Sequence, residues 1–255
     1  MSILHTIKVG CSVLASTFRG WRGSLAFRPV SQQPEQLLQL YDYEASPYCR
    51  LVREALSELD LDALILPCPQ RGTRHRPQAK ALGGKLLFPF LVDPNTGKRL
   101  HESRDIVDYL AATYGSRLRA PRGLSRGLAV FGSFMSSSIE VARGSTATPS
   151  KAPAKPLELY SFESSPYCRL VRERLCELEL PYILHSTGKA RWEDVGPPWI
   201  RARYFPNLPV EGRNRLRLLK LASRVQVPYL IDPNTGTALF ESEEILRYLK
   251  RTYAA

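Results

Sequence analysis

The chain repeats itself. LYDYEASPYCRLVREALSELDL, beginning at Leu40, returns as LYSFESSPYCRLVRERLCELEL, beginning at Leu159. Further on, PFLVDPNTGKRLHESRDIVDYLAATY from Pro89 returns as PYLIDPNTGTALFESEEILRYLKRTY from Pro228. Two matched ends in the same order mark a unit running from Leu40 to Tyr114 and again from Leu159 to Tyr253, and 255 residues have room for two such units. The second copy is longer, its extra residues lying in 186–215. The predicted layout is a basic N-terminal segment (1–35), a first domain (36–116), a linker with a short helix (117–155) and a second domain (156–255).

Each unit has the same predicted order of elements. LQLYDY or LELYSF is short, apolar and bounded by polar residues, which reads as a buried strand. A helix follows in which Tyr48, Leu51, Val52, Ala55, Leu56 and Leu59 recur at helical spacing, with Arg50, Arg53, Glu54 and Glu58 on the other face. Ser46 suits its N-cap and Pro47 its first position. Then come a second strand (Ala63 to Leu66; Tyr182 to Leu184), a variable stretch and a hairpin turning at DPNTG. A last helix carries Ile106, Val107, Leu110 and Tyr114, or Ile245, Leu246, Leu249 and Tyr253. The expectation is an α/β chain of two tandem thioredoxin-like domains, each a mixed four-stranded sheet flanked by helices.

Composition narrows the function. Hydrophobic residues make up 44% and charged residues 24%, a globular balance. No apolar run approaches the roughly 20 residues of a membrane span, so a soluble protein is expected. The net charge of +12 gathers partly in clusters such as Arg71, Arg74 and Arg76, or Arg213, Arg215 and Arg217. These lack the aromatic interleaving and zinc-ligand spacing of common nucleic-acid modules, so nucleic acid is not an expected partner. Five cysteines without paired spacing fit a reducing compartment. His5, His75, His101 and His185 are scattered, and no metal site is expected. Met1 to Pro34 holds no Asp or Glu, a composition that suits a transit segment. Yet the apolar stretches Val9 to Phe18 and Leu128 to Met135 precede their SPYC segments by similar distances, and each reads as a short helix. GSTATPSKAPAKP from Gly144 reads as a linker.

SPYCRLVRE, then FPFLVDPNTG or VPYLIDPNTG, then Glu-Ser before the last helix, occur in order and twice. In this the chain resembles the glutaredoxin and glutathione S-transferase N-terminal family, and more closely the plant and algal plastid proteins with two such domains in tandem. The resemblance implies glutathione as ligand or co-substrate, a plastid address, and a cis proline opening the third strand, here Pro89 after Phe88 and Pro228 after Val227. The backbone beside that proline would pair with the peptide part of glutathione. Glu102 and Ser103, or Glu241 and Ser242, would take the γ-glutamyl end at a helix N-terminus. Lys85 and Arg224, each four residues before its proline, would meet the glycyl carboxylate.

Three chemistries stay open. Cys49 and Cys168, at the fourth position of SPYC, could exchange with glutathione by a monothiol route, and this glutaredoxin-like reading ranks first. Ser46 and Ser165, at the position where dithiol glutaredoxins carry their nucleophile, could instead stabilise a glutathione thiolate for conjugation. That chemistry commonly uses a C-terminal all-helical domain to hold the electrophile, and none is expected after the second unit. The third reading is a non-catalytic glutathione-sensing or partner-binding scaffold. There the 186–215 insertion, with Trp192, Trp199, Tyr204 and Phe205, would meet a protein.

Overall fold

The computed structural model describes residues 3–118, 120, 127, 130, 132, 133, 143–194 and 203–255. Most of the Leu128–Met135 stretch, and Trp199 in the insertion, lie outside those residues.

A helix, α1 (Ile3–Phe18), precedes the first half. The first half then runs β1 (Leu38–Asp42), α2 (Pro47–Leu59), β2 (Ala63–Pro67), α3 (Arg76–Gly83), β3 (Phe90–Asp93), β4 (Lys98–His101) and α4 (Ser103–Thr113). The second half repeats it as β5 (Leu157–Ser161), α5 (Pro166–Glu177), β6 (Tyr182–Ser186), α6 (Arg213–Ala222), β7 (Tyr229–Asp232), β8 (Thr237–Phe240) and α7 (Ser242–Tyr253). Ser46 caps α2 by accepting the Cys49 N–H at 3.2 Å, and Ser165 caps α5 by accepting that of Cys168 at 3.3 Å. Pro47 and Pro166 follow at positions that need no donor.

The strands form one mixed eight-stranded sheet in the order β4-β3-β1-β2-β6-β5-β7-β8. Within each half the first two strands are parallel and the others antiparallel. Because strand side chains alternate, Leu38 and Leu40 enter the core shared with α2, α4, α5 and α7. Tyr41 and Phe90, pointing the other way, pack with Ala79 of α3, and Tyr160 packs with Leu218 of α6. The halves meet where β2 pairs antiparallel with β6, Leu64 opposite Ile183. These two residues occupy equivalent places in the repeat, so a local two-fold axis passes between them.

Around that axis the supposedly polar face of α2 is buried. Arg53 and Arg172 are each 1% exposed. Arg53 pairs with Asp42 at 2.6 Å, Glu163 at 3.1 Å and Glu44 at 3.3 Å. Its equivalent Arg172 pairs with Glu44 at 2.9 Å and Glu163 at 3.0 Å. The exchange extends to the backbone: Glu163 N–H donates to Ser57 Oγ, and Glu44 N–H to the equivalent Cys176 Sγ. Gly23 and Gly144 press against the stems of the same glutamates, since a Cβ there would lie 2.8 Å from Glu163 Cβ and 2.9 Å from Glu44 Cβ. Polar residues at helical spacing read as a solvated face; here they face the other half instead.

The DPNTG turns fix the last helices. Asp93 accepts bonds from the Asn95 N–H (2.8 Å), the Tyr109 hydroxyl (2.8 Å) and the Tyr114 hydroxyl (2.5 Å). Asp232 accepts the same set from Asn234, Tyr248 and Tyr253. Each buried carboxylate thus ties its hairpin to the helix that follows. Gly97 and Gly236 close the turns at φ +72° and +70°, where a side chain is disfavoured.

The ion cluster makes a stability prediction. Burial alone would push the Glu163 carboxyl up, but the Arg172 and Arg53 guanidiniums outweigh it and hold it well below the ordinary carboxylate range. Glu163→Gln leaves two buried guanidiniums short of a carboxylate, and urea unfolding at pH 7 should read a loss of about 3–5 kcal/mol. A depressed carboxyl contributes fully above its ordinary value of 4.5 and loses that contribution as pH falls below it. The gap between variant and wild type should therefore shrink in acid.

Candidate functional site

The last helix of each half begins at an unusual backbone conformation. Glu102 has φ +70° and Glu241 φ +65°, a region that costs a residue with a side chain about 1–3 kcal/mol. The same outlier at the same place in both halves marks a constraint beyond local folding, and Glu-Ser carries no sequence signal for it. From there α4 starts at Ser103 and α7 at Ser242, each with its first N–H groups lacking intrahelical partners.

In the first half Tyr48, Leu87, Phe88, Pro89, Glu102 and Ser103 line a cleft of about 250 Å³. The Phe88–Pro89 and Val227–Pro228 bonds are both cis. Among the described residues neither the N–H nor the carbonyl of Phe88 has a hydrogen-bond partner. Ser103 is 5% exposed, and its hydroxyl likewise has no partner among the described residues. The cleft therefore offers one unpaired backbone donor and acceptor, an unpartnered hydroxyl, and the positive end of α4. That set fits a peptide with a carboxylate end. Tyr48, placed by periodicity on the core stripe of α2, is instead 43% exposed at the cleft.

The structure brings Phe88, Pro89, Glu102 and Ser103 together, but not the cations. Lys85 is exposed and does not line the cleft. Arg224 lies over the Phe240 ring at 3.9 Å, a cation–π contact within the second half. There Val227 and Pro228 hold the positions of Phe88 and Pro89. The Gln226 amide donates to the Glu241 carboxylate, and the Ser242 hydroxyl meets His5 Nε2 of α1 at 3.1 Å. No sequence signal pointed to His5. Among the described residues no cluster of His, Cys, Asp and Glu could hold a metal ion.

Ser46 and Ser165 are buried as caps, and Cys49 and Cys168 are fully buried beneath them. Burial, with the Asp42 charge, pushes the Cys49 thiol up to about 12, against the lowering by Arg53. Burial also raises the Cys168 thiol, outweighing its bonds and the charge of Arg172. A thiol-exchange nucleophile must be an accessible thiolate, and neither condition is met at these two sulfurs. Cys68 and Cys176 are buried with raised values too, burial leading in each. Native protein treated with iodoacetamide at pH 7.5 should thus be alkylated at partly exposed Cys11 and at no other cysteine, with all five modified in denaturant. Mass spectrometry reads the sites, and fast modification of Cys49 in the native chain would contradict its burial.

A family model described as glutathione S-transferase, N-terminal domain, matches residues 40–118 and again 159–255. A solved glutathione transferase of Bombyx mori is 31% identical over the matched part. That match covers 33% of this chain and 38% of the other, with a TM-score of 0.28. Comparison with curated proteins gives no match.

Proposed function

Because the chain belongs to the glutathione S-transferase N-terminal domain family, we propose that it binds glutathione in the first-half cleft. The peptide backbone of the ligand pairs with Phe88, and its γ-glutamyl carboxylate sits on Ser103 and the N-terminus of α4. The observation that carries this reading is the unpartnered Ser103 hydroxyl, opening into the cleft beside the unpaired Phe88 backbone. A ligand with carboxylate and amide groups can pair with both.

Between the two chemistries, the need to ionise separates the candidates. Exchange needs a sulfur that ionises and is reached by a disulfide, and burial removes both properties from Cys49 and Cys168. A hydroxyl acts without ionising. Ser46 is 2% exposed as well, but it need not ionise: its oxygen accepts the Cys49 N–H, and its proton is the one we assign to the sulfur of bound glutathione. Conjugation is therefore the reading we favour. The sulfur–carbon bond forms as the bond to the leaving group breaks, the leaving group takes the electron pair, and the thiol proton passes to solvent.

Calorimetry on the intact chain tests binding. Ser103→Ala should weaken glutathione by roughly tenfold or more, as expected for the loss of one hydrogen bond to a charged group. Absence of heat at millimolar glutathione would overturn the reading. Turnover with an activated aryl chloride tests the chemistry. Ser46→Ala should lose it and Cys49→Ser with Cys168→Ser should keep it; the reverse pattern would restore the thiol route.

A further inference from the structure

The two halves present the same site differently, and the difference is a side chain. Ser242 is the counterpart of Ser103, at the start of α7 as Ser103 is at the start of α4. Its hydroxyl is not open to a cleft but bonded to His5 Nε2 at 3.1 Å, with His5 5% and Ser242 3% exposed. We propose that α1 is a built-in occupant of the second-half site, so that the intact chain binds glutathione at the first-half cleft alone. This rests on the glutathione reading above and adds to it a stoichiometry and a cause.

The placement of α1 is held from its far end. Arg19, just past the helix, pairs with Glu54 of the first half at 2.8 Å, and Arg22 pairs with Glu58 at 2.9 Å. Gly23 wedges against the side-chain stem of Glu163 and the backbone of Glu54. From this anchor the helix runs over the second half. Ser16 Oγ donates to the Ser164 carbonyl at 2.8 Å, and Arg169 donates to Ser16 Oγ at 3.2 Å and to the Ser12 carbonyl at 3.4 Å. The N-terminal end of α1 is thereby delivered onto the start of α7.

One face of α1 packs on α5 and the other stays in solvent. Val9 and Ala15 are buried, while Ile3, Ile7, Leu14 and Phe18 are exposed. The contact to Ser242 is thus made by a helix end whose inner face, His5, Val9, Ser12, Ala15 and Ser16, is buried. Burial pushes His5 below its ordinary range, opposed by Glu243 and aided by Lys8. One hydroxyl cannot serve both the imidazole and a ligand carboxylate in the same direction. Ligand affinity at Ser242 is accordingly reduced by the fraction of chains in which α1 is seated.

Calorimetric titration of the full chain with reduced glutathione reads the number of sites. Wild type should give one site per chain. Ser103→Ala should weaken it tenfold or more, whereas Ser242→Ala should leave it unchanged. His5→Ala should bring the count to two, and His5→Gln, which retains a side-chain hydrogen bond, should stay at one. Circular dichroism on each variant separates loss of fold from loss of a site. Two sites in wild type, equal weakening by the two serine changes, or a count of one in His5→Ala would each overturn the proposal while leaving the first-half cleft standing. Absence of binding in wild type overturns the glutathione reading itself, and this inference with it.

Discussion

Everything in the molecule is arranged about two arginines that reach past their own half. Arg53 and Arg172 are among the largest fully buried side chains, and each binds a carboxylate from both sides of the local axis. Two guanidiniums against Glu44, Glu163 and Asp42 leave none of these charges alone in a low-dielectric setting. That matters more than any net attraction, since an isolated buried charge is prohibitive. The cluster also fixes geometry. It aligns β2 against β6 so that Leu64 meets Ile183, turning two four-stranded sheets into one.

The central contact constrains the site indirectly. With the faces of α2 and α5 spent on each other, the cleft of the first half lies elsewhere, at the cis proline and the start of α4. The Asp93 and Asp232 hubs then set where α4 and α7 begin, by holding the tyrosines of their C-terminal ends to the hairpin turn. DPNTG is thus a structural motif that places the site without entering it.

Local signals in the sequence carried the elements well. Ser46-Pro47 and Ser165-Pro166 announce a capped helix from adjacent residues alone, and DPNTG announces its turn. Residues whose partners are distant in sequence were less legible. Arg53 and Glu54 stand at positions that usually face water, and nothing within α2 says that another half will cover them. One clue was present: Arg22-Gly23-Ser24 recurs as Arg143-Gly144-Ser145 ahead of each SPYC segment, so the repeat reaches further upstream than the strand-to-helix match. Of the cleft lining, Phe88, Pro89, Glu102 and Ser103 were legible through motif order. The seclusion of Cys49, the displacement of Lys85 and the arrival of His5 depend on packing that no short window records.

The pairing of Leu64 with Ile183 has a consequence for how such a chain can change. In an assembly of two identical copies, any substitution near the axis is made twice and must be tolerated against itself. Here each is made once. Asp42 can stand where its mate is Ser161, Ser57 where its mate is Cys176, and a compensating residue need appear on one side only. Covalent linkage of the halves thereby gives the axis an inheritance with two independent alleles of each contact, and lets Ser242 take a bond to His5 where its mate Ser103 lines a cleft.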